Sequence, residues 1–322
     1  MARELTVIEA MQEGYRQEMR RDERVILLGV DVKASVYGTT RFLWDEFGDK
    51  RVMVTPICES AIVGVAVGAA MTGLRPVVEL TSSEYVYIAM DQIANHAASW
   101  HYITGGQLKV PIVVQVIYGL RTSTAYGHSQ CLESSLLNPP GLKVVCPSTP
   151  FDTKGLLKAS IEDENPVVFF LHRRILAIKG EVPEEDYSIP FGKASIWREG
   201  KDVTILGTSW STHLALMAAG ILKEEGINAE VIDLRTLKPL DKATILKSVR
   251  KTGRLVIVEE GRKCGGYGAE IGATAAEEWV NYLDAPIRRV ASLDTPVPFS
   301  LRLEERYLPN ELKIVEAVKS IL

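Results

Sequence analysis

What most constrains this chain is a regular alternation of short apolar runs with stretches that carry apolar residues at helical spacing. Thr6-Val7-Ile8-Glu9 reads as a capping box, in which the threonine hydroxyl caps a first helical turn and Glu9 reaches back to the Thr6 amide. Ile8, Met11, Tyr15 and Met19 then recur on one helix face, so a helix is expected to about Asp22. The run 25–29, apolar and closed by glycine, suits a buried parallel strand. Strands are expected again over 52–54, 77–80, 112–116, 143–146 and 167–171. Helices fall between them over 59–73, through 90–101 and from Pro150, which stands at a first helical position after Thr149. Such an order dictates a mostly parallel sheet with helices on both faces.

Between about 172 and 201 the pattern lapses into a stretch holding Pro183, Glu184, Glu185, Asp186, Pro190 and Gly192. A second alternation follows, with strands expected over 203–206, 229–232, 255–259 and 287–290. Helices are expected across 213–225, 241–252, 269–283 and 310–321. A chain of 322 residues is long for one hydrophobic core. The expected organisation is a larger α/β domain over 1–180, a linker over 181–201 and a smaller α/β domain over 202–322.

Composition removes several classes of function. No run approaches the ~18 apolar residues of a membrane span, and the charged start Met1-Ala2-Arg3-Glu4-Leu5 lacks the apolar core of a secretory signal, so cytoplasm is the expected compartment. A net charge of −4, with Lys and Arg spread evenly, argues against nucleic acid. Cys58, Cys131, Cys146 and Cys264 form no C-x-x-C pair and read as reduced, mostly buried thiols. Gly265-Gly266-Tyr267-Gly268 follows a strand but does not fall as a dinucleotide fingerprint, and the zinc and serine hydrolase motifs are missing.

Two positions remain as candidates for chemistry. Glu59 stands where an apolar strand ends and a helix of small residues begins (Ala61, Gly64, Ala66, Gly68, Ala69, Ala70). Small residues let another backbone approach closely. A carboxylate there is equally explained by the helix macrodipole. His128 lies in a loop after the strand at 112–116, on the side where open α/β sheets bind ligands, though a loop histidine can simply be a surface residue. Tyr85, Tyr87 and Met90 form an apolar group for which core packing is the plain alternative.

Taken together, these residues stand in an order that resembles the beta subunits of the thiamine diphosphate-dependent 2-oxo acid dehydrogenases, acting on pyruvate, branched-chain 2-oxo acids or acetoin. The segments that carry the resemblance are RVMVTPICESAIVGVAVGAAMTGLRPVVEL (51–80), MDQIANHAA (90–98), GHSQ (127–130), PGLKVVCPSTPFDTKGLLKASI (140–161), VIDLRTLKPLD (231–241) and DTPVPFS (294–300). The resemblance implies a transketolase-type pyrimidine-binding domain followed by a transketolase C-terminal domain. It also implies a role for each matching residue. Glu59 takes the place of the glutamate that hydrogen-bonds N1′ of the thiamine aminopyrimidine, while Ile57, Thr81 and Tyr85 take positions lining that pocket. His128 takes the place of a histidine near the thiazolium that assists acyl transfer to lipoamide, a proton-transfer role suited to an imidazole.

No Gly-Asp-Gly triplet followed by Asn-Asn occurs. In the family that magnesium and diphosphate motif belongs to an alpha subunit. The resemblance therefore implies an α2β2 assembly, with magnesium held by the alpha chain, docked on a dihydrolipoyl acyltransferase core. The family's beta chains can also hold a structural potassium ion, at a site matched by Ile112, Ser160, Ile161, Asp163 and Asn165. Ser82, Glu84 and Tyr85 depart from the family pattern, as does the loop YGLRTSTAY (118–126), which lacks the usual glycines. Acetoin cleavage, one half of a split transketolase, and a non-catalytic scaffold for an alpha subunit are the alternatives.

Overall fold

A computed structural model describes residues 2–322. A short strand, β1 (Ala2–Thr6), leads into α1 (Val7–Arg21) through the capping box: Thr6 accepts from the Glu9 amide at 3.2 Å, and the Glu9 carboxylate accepts from the Thr6 amide at 2.7 Å. The rest of the first half comprises β2 (Val25–Gly29), α2 (Leu43–Phe47), β3 (Val52–Val54), α3 (Glu59–Met71), β4 (Arg75–Leu80), α4 (Trp100–Ile103), β5 (Val113–Tyr118), β6 (Lys143–Val145), α5 (Pro150–Glu162), β7 (Val167–His172) and β8 (Lys179–Pro183).

Six of these strands form a parallel sheet in the order β6, β7, β5, β4, β2, β3. Strand periodicity divides its side chains between two cores. Val25 and Leu27 face Met11, Tyr15, Leu156 and Leu157 of α1 and α5, whereas Ile26 and Leu28 face Ile62, Val63, Ala66 and Val67 of α3. Burial on both faces explains why the strands are apolar throughout rather than alternating. Between α1 and α5 two lysines are buried with partners: Lys154 Nζ lies 2.8 Å from Glu13, and Lys158 pairs with Glu18 and, at 2.7 Å, with Asp186.

The second half comprises β9 (Ser195–Arg198), β10 (Val203–Gly207), α6 (Trp210–Glu224), β11 (Ala229–Asp233), β12 (Thr236–Lys238), α7 (Lys242–Thr252), β13 (Leu255–Arg262), α8 (Tyr267–Glu278), β14 (Arg288–Ser292), α9 (Leu301–Tyr307) and α10 (Glu311–Lys319). Its sheet runs β14, β13, β10, β11, β9, antiparallel only at the last pair. β12 leaves that sheet and pairs antiparallel with β6, extending the first one. Leu206, Ile232 and Ile257 also share a buried cluster with α3 and the first sheet, so an apolar contact joins the halves.

The segment 90–101, expected as one helix, is a π-helix at Asp91–Ala97 followed by the short α4. Ala98 donates to Ile93 at 3.0 Å, five residues back, while Ser99 Oγ turns to Ala94 and Asn95 bonds Asp91. Side-chain bonds of this kind compete with the α-helical ladder. The lapse in pattern conceals two real strands, β8 and β9, whose mixed polarity follows from pairing at sheet edges. Among the cysteines only Cys146 is fully buried; Cys58 and Cys264 are exposed, because Cys58 stands at the N-cap of α3 and Cys264 in the turn after β13 rather than within a strand.

Candidate active site

The carboxyl ends of β3, β4 and β5 point the same way, and each is followed by candidate residues, in the place where open α/β sheets take ligands. After β3 come Ile57 and Glu59, after β4 Thr81 and Tyr85, and after β5 His128. Glu59 is the first residue of α3 and only 6% exposed. The helix dipole favours a carboxylate there. Yet among the described residues Glu59 has neither a hydrogen-bond nor an ion-pair partner. The group is thus an acceptor at a strand-to-helix junction that no donor among the described residues occupies.

Tyr85 lies in the 3-10 turn Ser83–Val86, where burial, and then the Glu59 and Glu84 carboxylates, push its phenol above the ordinary range. Its ring meets the His128 ring edge-on, centroids 6.1 Å apart. Acid, aromatic ring and imidazole are therefore brought together from three loops. Thr81 is half-buried beside them, but Ile57 is 77% exposed and projects outward. Val65 on α3, Tyr87 and Ile88 just after Tyr85, and Tyr126 two residues before His128 are also exposed, and a Cβ added to Gly68 on α3 would meet nothing within 4 Å. An apolar rim with room for close backbone approach marks a surface suited to a protein partner.

The residues that depart from the family pattern tether this site. Ser82 Oγ donates to Glu84 and accepts from Arg173 at 2.8 Å, while Glu84 accepts from the Gln130 amide, fixing the far end of the His128 loop. Arg173 also donates to the Gly119 carbonyl at the near end of that loop. Nothing in the sequence pattern pointed to Arg173, since its partners lie 54 and 91 residues away.

The five residues matched to a potassium site do converge at the end of α5 and the start of β5 and β7. There Arg75 Nη1 donates to the carbonyls of Ile161 at 2.9 Å and Asp163 at 3.1 Å, and the Ile112 carbonyl accepts from Val167 at 2.9 Å. Ser160 Oγ is turned to Leu156, and Asp163 bonds Asn165 and Lys143. The Arg75 guanidinium thus already brings a positive charge to the Ile161 and Asp163 carbonyls, and a further cation would have only their second lone pairs. Among the described residues no group of three or more His, Cys, Asp or Glu side chains could hold a metal.

Comparison with known proteins assigns both halves of the chain to families. The transketolase pyrimidine-binding domain matches residues 3–179 and the transketolase C-terminal domain residues 192–314. The chain is 43% identical to the 2-oxoisovalerate dehydrogenase subunit beta of Bacillus subtilis, covering 98% of both chains. It is 45% identical to the pyruvate dehydrogenase E1 component subunit beta of Rickettsia felis, covering 99% of this chain and 98% of that one. Against the acetoin:2,6-dichlorophenolindophenol oxidoreductase subunit beta of Cupriavidus necator it is 44% identical, over 100% and 98%. A solved split-gene transketolase, an inactive beta4 tetramer, superposes with a TM-score of 0.81 at 26% identity, covering 98% and 97%.

Proposed function

We propose a function from one premise: this chain belongs to the family of thiamine diphosphate-dependent 2-oxo acid dehydrogenase beta subunits. With an alpha subunit it oxidatively decarboxylates a 2-oxo acid, pyruvate or a branched-chain one, and passes the acyl group to lipoamide on a dihydrolipoyl acyltransferase core. The observation that carries this reading is Glu59, a nearly buried carboxylate with no donor, set beside Tyr85 and His128 under an uncovered apolar rim.

When bound, thiamine diphosphate supplies a nucleophilic carbon that adds to the substrate carbonyl and holds the electron pair released with CO2. This chain's part is to bind and orient it. Glu59 would hold the aminopyrimidine through N1′ and would take or return a proton there. Tyr85 and Thr81 would line the place of the aminopyrimidine, and Ile57, which projects outward, would stand at its mouth. His128, held against Tyr85, exchanges a proton at the acyl-transfer step. Magnesium and the diphosphate fall to the alpha chain, since the motif that grips them is missing from this sequence.

The pyrimidine-binding domain over 1–180, the linker over 181–201, the C-terminal domain over 202–322, an α2β2 assembly and a cytoplasmic location belong to the same proposal. No helix of the described residues is long and apolar enough to cross a membrane. Potassium at Ile112, Ser160, Ile161, Asp163 and Asn165 is a further part, and a ligand that binds only the folded state raises the melting temperature. Potassium chloride should do so relative to lithium chloride at equal ionic strength; identical melting curves would remove the ion.

The test of the whole is the chain mixed with its alpha partner and assayed for dye reduction on a panel of 2-oxo acids and acetoin, with and without thiamine diphosphate. Cofactor-dependent oxidation of a 2-oxo acid supports the reading. Ketol transfer between sugar phosphates would assign a split transketolase instead, and cofactor binding without any turnover a scaffold.

A further inference from the structure

The loop carrying His128 is held from the other half of the molecule. It leaves β5 at Gly119 and returns at Gln130, and its backbone passes through left-handed conformations at Ser123 (φ 55°) and Ala125 (φ 51°), where a side chain is strained. Such a path persists only if its surroundings over-determine it. Two buried carboxylates of the second half do so. Glu260, in β13, accepts from the Leu120 amide at 2.6 Å, and Glu304, in α9, accepts from the Ser123 amide at 2.8 Å. Leu120 inserts among Val297, Tyr307 and Leu308, a buried cluster otherwise made by the second half.

Glu260 is itself fixed. Because His172 Nδ1 accepts from the Arg174 amide at 3.1 Å, Nε2 carries the proton and donates to Glu260 at 3.0 Å. Burial opposes the charge on Glu260, but His172, Arg174 and the Leu120 amide outweigh it and hold the carboxyl at about 2. Gly119 is required beside this pair, since a Cβ there would stand 2.1 Å from His172 Nε2. Arg262, from the same strand as Glu260, adds a long contact of 3.4 Å to the Gln130 side chain.

We infer that Glu260 and Glu304 are positioning residues of the acyl-transfer step, through which the C-terminal half sets the conformation of the His128 loop. They touch no reacting atom. Charge-assisted acceptance of a backbone amide is stronger than a neutral bond, and at Ser123 it acts on the strained residue itself, five positions before His128. The second domain is thereby part of the active site's support and not only a surface for assembly.

This inference rests on the role proposed for His128, so its test separates the two. In the reconstituted complex, Glu304→Ala should slow acyl transfer to a lipoyl acceptor about 10-fold, the scale of a lost supporting interaction, and slow dye reduction less than about threefold. Glu304→Gln, which keeps an acceptor for the Ser123 amide, should restore most of the loss. Hydrogen exchange of amides 120–128 should quicken in Glu304→Ala and in Glu260→Ala, whatever the substrate proves to be. Equal loss in both half-reactions, or unchanged exchange in the loop, overturns the inference. Failure of the wild-type complex to oxidise any 2-oxo acid overturns the proposed function instead and leaves the exchange result standing on its own.

Discussion

Glu59→Ala in the reconstituted complex should lower turnover by roughly three orders of magnitude, within the range seen for removing a positioned proton-transfer group, and should leave the chain folded. Both halves of this expectation come from the same geometry. The carboxylate is nearly buried and lacks a donor, so its removal orphans no other polar group. What alanine loses at the first position of α3 is the macrodipole's preference for a carboxylate, about 0.3–1 kcal/mol. The thermal midpoint should therefore fall by no more than a few degrees. A variant that loses activity only by unfolding would place Glu59 in the architecture and not in the chemistry.

The largest effect on stability is expected at Lys158. Its side chain is 1% exposed, and it faces Glu18, equally buried, across the packed surfaces of α1 and α5. Burial pushes the Glu18 carboxyl up despite Lys158, so the pair's attraction offsets a real desolvation penalty. Lys158→Ala leaves Glu18 in a dry interface with only the half-exposed Arg21 beside it, at a cost of roughly 3–5 kcal/mol in urea denaturation. By contrast, breaking the exposed Lys242 to Glu278 contact should cost under about 1 kcal/mol. Equal costs for the two would refute the assignment of stability to the buried pair.

Much of this architecture is legible in the sequence because the signals are local. Thr6 and Glu9 cap α1, Thr149 and Pro150 open α5, and uninterrupted apolar runs announce β2, β5 and β7. Elements that escaped notice are those whose reason is distant. β12 is three residues long and exists because β6 offers it an edge, and α9 carries no long apolar stripe. The site divides in the same way. Glu59 and His128 stand in recognisable segments, but their relation to Tyr85 depends on three loops meeting. Glu260 and Glu304 bond amides 140 and 181 residues away, a distance no spacing rule can bridge. Burial can likewise push a carboxyl up, as at Glu79, held near about 7 in the first sheet, and nothing in the pattern RPVVEL foretells it.

Titration calorimetry with thiamine diphosphate and magnesium addresses directly whether the proposed cofactor site is completed by a second chain. The expected result is binding by the mixture of this chain with its alpha partner at least about 100-fold tighter than by either alone, some 2.7 kcal/mol, with the gain abolished by Glu59→Ala. Binding of full strength by this chain alone, or by the mixture regardless of residue 59, would contradict it.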